Sequence, residues 1–161
     1  MICLLDTDTV IFLMSGLKIT EARSERQKQV QAVGRRIFER ARKRESAGHE
    51  VAISAVTVAE LEFGARKSGD YAREMEIVSR ILTPFTLLDF DARDCASRCG
   101  EIRHALEAAG KTIGSLDMLI AAHALAASAT LITNNTAEFG RVPGLRTENW
   151  ANLPVAPTPA R

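Results

Sequence analysis

Apolar residues along this chain form two kinds of pattern, short continuous runs and longer segments with helical spacing. Short, continuous apolar runs occur at Ile2–Leu5, 51–54, 85–88 and 130–133, and a weaker one at 145–149. Such runs are too short for helices, and capping or turn residues bound them. They are typical of the buried strands of a parallel sheet.

Longer segments between these runs carry apolar residues at helical spacing, with polar residues between them. Thr57 and Glu60 have the spacing of a capping box, and residues 116–127 are apolar nearly all round. We expect helices at about 7–14, 30–47, 57–67, 70–83, 91–109, 116–127 and within 134–140. Ser15 and Gly16 should end the first helix, and 18–29 has no clear pattern. The alternation predicts a three-layer α/β/α fold around a parallel sheet of four to five short strands.

The length of 161 residues suits one domain, which we place at 1–153, followed by a flexible proline-containing tail at 154–161. The three cysteines form no metal-binding pattern, and we expect them to be reduced and mostly buried. We find no signal peptide and no apolar stretch long enough for a membrane span. These features predict a cytoplasmic protein.

Charge is unevenly distributed, although the net charge is only +1. Residues 18–45 contain ten lysines and arginines against four acidic residues, which leaves the remainder at −5. This segment could be a solvated helix face, which is the simpler interpretation, or a surface that follows a nucleic-acid backbone.

Three carboxylates interrupt apolar surroundings. Asp6 follows the first strand, Glu60 lies one turn into a helix after the second, and Asp117 begins the most apolar helix. Acids in a first helical turn can simply stabilise the helix dipole. In a parallel sheet, however, these junctions meet in one cleft, where clustered carboxylates need a cation such as Mg²⁺ or Mn²⁺. Such an ion supports phosphodiester hydrolysis.

Other catalytic chemistry has little support, because a glycine-rich phosphate loop and a GxSxG motif are both absent from the sequence. We interpret His123 as a packed rather than a catalytic residue, and Trp150 as a core or edge anchor. Ser115 should cap the helix at 116–127 and help to hold Asp117.

Four segments together resemble the successive motifs of PIN-domain ribonucleases, and more narrowly of VapC toxins from bacterial toxin–antitoxin pairs. They are LLDTD at 4–8, ISAVTVAELEFGA at 53–65, IGSLDMLIAAHAL at 113–125 and LITNNTAEF at 131–139. Each motif alone is weak, but their order covers almost the whole chain. The resemblance implies a Mg²⁺- or Mn²⁺-dependent endoribonuclease in which Asp6, Glu60 and Asp117 hold the metal.

The fourth acid of the family falls at Asn135 in this chain, which leaves a second metal open. The resemblance suggests that Asp8 and Glu138 partly compensate for it. It also implies that Thr7 and Thr133 position the acids, and we expect Arg103 near the site.

The stretch NNTAEFGRVPGL at 134–145 is similar to VapC toxins that cut tRNA in the anticodon loop, notably initiator tRNA. The resemblance also implies a homodimer and a VapB-like antitoxin whose tail crosses the groove. Two alternatives stay open: a catalytically weak RNA-binding or regulatory module, and a hydrolase of small phosphoesters.

Overall fold

The computed structural model describes residues 1–151, and this part of the chain forms a five-stranded sheet and seven helices. The strands are β1 Ile2–Leu5, β2 Glu50–Ser54, β3 Thr86–Leu88, β4 Thr130–Ile132 and β5 Arg146–Glu148. The helices are α1 Thr7–Lys18, α2 Glu25–Ser46, α3 Ala55–Lys67, α4 Tyr71–Leu82, α5 Asp94–Ala108, α6 Ser115–Ala126 and α7 Thr136–Phe139.

All strand pairs in the sheet are parallel, in the order β3-β2-β1-β4-β5. The first strand is central, and Leu4 lies opposite Ala52 on one side and Leu131 on the other. Because the strands run in one direction, their carboxyl ends share one edge of the sheet. We call this the carboxyl edge.

Apolar cores cover both faces of the sheet. Cys3 and Leu5 point into a cluster formed with α1, α2, α3 and α4, whereas Leu4 points into a cluster formed with α5 and α6. Successive strand residues face opposite sides, so a strand buried on both faces needs an unbroken apolar run. The predicted three-layer α/β fold with a parallel sheet is therefore confirmed.

The predicted break at Ser15 and Gly16 is wrong, because α1 continues to Lys18. Gly16 serves a close helix crossing instead: a Cβ built on it would lie 2.6 Å from the Cα of Gly34 in α2. The unpatterned region was also shorter than expected, since α2 begins at Glu25 with Ser24 as its N-cap.

Two predicted caps lie elsewhere. The N-cap of α3 is Ser54, whose side chain accepts a hydrogen bond from the Val56 backbone N–H, and Thr57 is buried inside the helix. The N-cap of α6 is Gly114, and Ser115 is the first helical residue, with no side-chain capping bond at this end. The N-cap of α3 therefore lies three residues before the predicted one, and that of α6 one residue before it.

The last described residues pack into the core. Trp150 is 2% exposed, as expected of an anchor, and its indole N–H donates to the Glu148 carboxylate at 2.9 Å. All three cysteines are free, with Cys3 and Cys95 buried. The predicted tail at 154–161 lies outside the described residues. No helix within residues 1–151 has both the length and the apolar character that a membrane crossing requires.

Candidate active site at the carboxyl edge

Asp6 connects the central strand to the first helix and is 3% exposed. Its side chain is the N-cap of α1 and accepts a hydrogen bond from the Thr9 backbone N–H at 2.7 Å. Burial raises the pKa of this carboxyl, while hydrogen bonds from Thr133 and Thr9 act in the opposite direction. A carboxylate is thus held in a fixed direction, with little access to water.

Glu60 is brought to the same edge by α3, which follows β2 directly. The Thr7 hydroxyl donates a hydrogen bond to the Glu60 carboxylate and lies 3.2 Å from the Thr57 hydroxyl oxygen. Thr7 is the residue after Asp6, so one hydroxyl links the starts of α1 and α3. The positioning role that the resemblance implies for Thr7 stays a prediction, and this hydrogen bond is compatible with it.

Asp117 lies in the first turn of α6 and is half-buried. Burial, and after it the repulsion from surrounding carboxylates, together raise its pKa to about 6. In decreasing order of effect these neighbours are Glu138, Glu60, Asp6 and Asp8. The three acids singled out from the sequence therefore belong to one electrostatic cluster, to which Glu138 contributes most among Asp117's neighbours.

Asn135 and Glu138 form a small network at the end of β4. The Asn135 side-chain N–H donates to Glu138 at 2.6 Å, and its backbone N–H donates to the Thr133 hydroxyl at 2.9 Å. The second oxygen of Glu138 accepts from the Gly114 backbone N–H at 3.1 Å. These hydrogen bonds lower the pKa of Glu138 and keep it ionised. Glu138 thereby ties α7 to the start of α6.

Three further residues predicted to belong to the site have exposed side chains. Asp8 is exposed in the first turn of α1, and Ser115 is exposed at the start of α6. Arg103 is exposed on α5, and its guanidinium donates to Glu107 one turn further along at 2.8 Å. The contact that the structure gives Arg103 is therefore a surface ion pair with Glu107, and not a contact with an acid of the cluster.

The cluster has the chemistry that a hard divalent cation requires, since its donors are carboxylate, amide and hydroxyl oxygens. Mutual repulsion among its carboxylates is what a bound cation would relieve. In residues 1–151, however, no three acidic, histidine or cysteine side chains already converge as a complete ligand set. Hydrogen bonds to Thr7, Thr9 and Asn135 hold the carboxylates instead. The residues thus fit the ion chemically.

Sequence reasoning missed the roles of Thr57 and Ser54. Thr57 was interpreted as a helix cap, but it is buried beside Thr7. Ser54 was assigned only to a strand, but it caps α3 and contacts His123. A serine directly before a helical segment was the available signal, because serine is a common N-cap.

Three arginines of the basic segment bind within the protein. Arg36 donates to the Ala151 carbonyl at 2.6 Å, and Arg40 donates to the Asn149 carbonyl at 2.9 Å. Arg44 pairs with the Glu148 carboxylate at 2.8 Å. These side chains anchor the end of the described chain against α2, a structural role that neither sequence interpretation of the segment included.

Comparison of the sequence with known proteins finds a family whose model matches most of this chain. The family model of the PIN domain matches residues 30–145, which include Glu60, Asp117 and Asn135. Ribonuclease VapC2 of Rickettsia felis is 43% identical over 100 residues, 62% of this chain and 74% of that protein. The tRNA(fMet)-specific endonuclease VapC of Shigella flexneri is 40% identical over 102 residues, 63% of this chain and 76% of that protein.

Solved structures agree with these sequence matches. A crystal structure of VapBC2 from Rickettsia felis, bound to a DNA fragment from its promoter, superposes with a TM-score of 0.77 at 31% identity. It covers 93% of this chain and 99% of the matched one. DNA-bound VapBC from Salmonella typhimurium gives a TM-score of 0.74 at 32% identity, covering 92% and 97%.

Proposed function

The chain belongs to the PIN-domain family, among its VapC ribonucleases, and from this premise we propose that it is a metal-dependent endoribonuclease toxin. The single observation that supports the proposal best is the joint position of Asp6, Glu60 and Asp117. They lie on three separate elements, yet they share one electrostatic cluster at the carboxyl edge. Clefts at this edge are where parallel α/β sheets bind their ligands.

Asp6, Glu60 and Asp117 would hold Mg²⁺ or Mn²⁺. When bound, such an ion lowers the pKa of a coordinated water and stabilises charge on a phosphate. Asn135 offers an amide oxygen, which is uncharged, while its side-chain N–H is donated to Glu138. We propose that Glu138 supplies the fourth negative charge of the site in place of residue 135.

The chain's own residues orient these ligands. Thr7 directs the Glu60 carboxylate, and Thr133 and the Thr9 N–H direct the Asp6 carboxylate. Outer hydrogen bonds of this kind commonly change metal affinity by about 10- to 100-fold. Burial of Asp6 also excludes water from one side of the cluster, which strengthens its electrostatic interactions.

The substrate that we propose is RNA, and more narrowly the anticodon loop of initiator tRNA. Support comes from the 40% identity to an enzyme named as specific for tRNA(fMet) and from the resemblance that the stretch at 134–145 bears to VapC toxins that cut tRNA. We further propose a VapB-like antitoxin as partner, since the matched structures are VapBC complexes. We also propose that the protein forms a homodimer. A nuclease with such a substrate would act in the cytoplasm.

Incubation with total tRNA and Mg²⁺ or Mn²⁺ tests the activity. Discrete cleavage products are expected from the wild type, and Asp6→Asn should lower the rate on the order of 100-fold or more, beyond a typical outer-shell effect. Glu107→Gln is the matched control, because that carboxylate pairs with Arg103 on an exposed helix face. Equal loss in both variants, or metal-independent cleavage, would contradict the proposal.

A catalytically weak RNA-binding module is the second candidate, and the amide at Asn135 is the observation that favours it. Under this alternative, the wild type and Asp6→Asn would bind tRNA equally and leave it intact. A gel-shift assay run beside the cleavage assay separates the two functions.

A further inference from the structure

A buried hydrogen bond joins α3 and α6 away from the acidic cluster. The Ser54 hydroxyl oxygen lies 2.8 Å from Nδ1 of His123, and the two residues are 0% and 3% exposed. Phe90 packs edge-on against the imidazole, with ring centroids 5.7 Å apart and an interplanar angle of 84°. Two polar side chains are therefore fixed inside the protein where apolar ones could pack.

The direction of this hydrogen bond follows from the neighbouring contact. The Val56 backbone N–H donates to the Ser54 oxygen at 3.0 Å, which leaves the Ser54 hydroxyl proton for His123. Burial lowers the pKa of His123, so its ring is neutral near pH 7 and Nδ1 can accept that proton. The proton of the neutral imidazole is then on Nε2.

The location of the pair connects it to the acids. Ser54 is the N-cap of α3, and Glu60 follows it by six residues. His123 follows Asp117 by six residues on α6. Each acid is thus about 9 Å along a rigid helix from the same hydrogen bond. The hydrogen bond thus links the start of α3 to α6, the two helices that carry the Glu60 and Asp117 carboxylates.

We propose that the Ser54–His123 hydrogen bond is a positioning contact, which sets the spacing of the Glu60 and Asp117 carboxylates and thereby the affinity for the divalent cation. The proposal rests on the function proposed above. Neither residue touches the cluster in the contacts that the structure gives them, so their effect is transmitted by α3 and α6. A shift of a carboxylate by well below 1 Å is enough to weaken metal binding, because metal–ligand distances tolerate only small deviations.

Three substitutions separate positioning from packing. Ser54→Ala removes the hydroxyl. His123→Leu removes the acceptor and fills its space with an apolar side chain. His123→Asn keeps an acceptor oxygen close to the position of Nδ1. Ile120→Val is the matched control, because Ile120 is fully buried on the same helix and the change removes one methylene without a polar contact.

Mn²⁺ binding to the purified full chain, measured from the spin-resonance signal of the free ion, is the readout. All variants are measured at one pH and at a temperature where circular dichroism shows them folded. We expect Ser54→Ala and His123→Leu to weaken Mn²⁺ binding about 10- to 100-fold, as outer-shell substitutions do. His123→Asn and Ile120→Val should stay within about threefold of the wild type, whatever their thermal stability.

Wild-type affinity in folded Ser54→Ala would overturn the positioning role, and so would an equal loss in His123→Asn and His123→Leu. If His123→Leu does not fold, wild-type affinity in Ser54→Ala still overturns the proposal, and a loss there supports it only if His123→Asn keeps its affinity, because Ser54→Ala also removes the cap of α3. A wild type that binds Mn²⁺ and cleaves tRNA, with variants that bind equally, would refute only this inference. A wild type without Mn²⁺ binding would refute both this inference and the proposed function.

Discussion

At the scale of single residues, three carboxylates at the carboxyl edge, those of Asp6, Glu60 and Glu138, have hydrogen-bond donors that hold them. Asp6 is held by Thr9, Glu60 by Thr7, and Glu138 by Asn135 and Gly114. The acids themselves could be predicted from the sequence, because each interrupts an apolar setting. Their donors could not, since a hydroxyl contact across some 50 residues leaves no trace in local spacing.

The raised pKa of Asp117, about 6 against an ordinary 3.8, predicts a pH-dependent stability. The folded state binds this proton more tightly than the unfolded state. The stability that the protonated carboxyl contributes is therefore complete below about pH 4 and is lost as the pH rises through about 6. Asp117→Asn should unfold at a higher temperature than the wild type near pH 7, without metal.

Thermal unfolding from about pH 4 to pH 7.5 checks this expectation. The advantage of Asp117→Asn should grow with pH, and Mg²⁺ should reduce it by stabilising only the wild type. A difference that is constant across this range would show that the carboxyl is not under strain from its neighbours.

Glu138→Gln tests whether this side chain supplies the fourth charge. The amide keeps one oxygen that can accept from the Gly114 or the Asn135 N–H, but it loses the second acceptor and the negative charge that most affects Asp117 among its neighbours. We expect tRNA cleavage to fall about 10- to 100-fold and the Mg²⁺ requirement to rise. Asp70→Asn, at an exposed N-cap of α4, should leave both unchanged. Full activity in Glu138→Gln would assign the charge elsewhere.

At the scale of elements, apolar runs predicted all five strands and the order of helices. Burial on two faces demands such runs in β1, β2 and β4, whereas the edge strands β3 and β5 are partly exposed. Helix ends were less predictable. Gly16 was interpreted as a stop, yet it lies inside α1 at the crossing with Gly34. A glycine required by a distant helix and a glycine that ends a helix look alike in the sequence, because only the fold reveals the partner backbone.

Gly34→Ala tests the helix crossing. The added methyl would lie 2.6 Å from the Gly16 Cα and 3.0 Å from the Leu13 carbonyl oxygen, neither of which is a flexible side chain. We expect a loss of about 1–3 kcal/mol in the free energy of unfolding, measured with urea. Gly100→Ala is the control, because it is helical with open space around it. It should gain about 0.5–1 kcal/mol. Equal effects would refute the close crossing.

At the scale of the whole molecule, two apolar cores lie on opposite faces of the central sheet. Trp150 packs into the one formed with α1, α2, α3 and α4. The parallel arrangement was predictable because strands alternate with helices. The strand order was not, because it depends on which crossovers pack together in space. The likeness to VapBC structures and to VapC ribonucleases then connects this topology to a family of nucleases.

The placement of one domain at 1–153 predicts a single cooperative unfolding transition. Trp150 is the single tryptophan of the sequence and is 2% exposed, so its fluorescence reports the core. Urea unfolding followed by fluorescence and by far-ultraviolet circular dichroism should give coincident curves. Separate midpoints would show that α2 and the segment around Trp150 unfold independently of the sheet.

Asp6, Glu60 and Asp117, from three elements, are expected to bind one divalent cation at the carboxyl edge. Anomalous X-ray diffraction from crystals soaked in Mn²⁺ tests this expectation most directly. We predict a manganese peak in contact with the carboxylates of Asp6 and Asp117, which should disappear in Asp6→Asn crystals. A manganese peak elsewhere on the protein, or none at this edge at millimolar Mn²⁺, would contradict it.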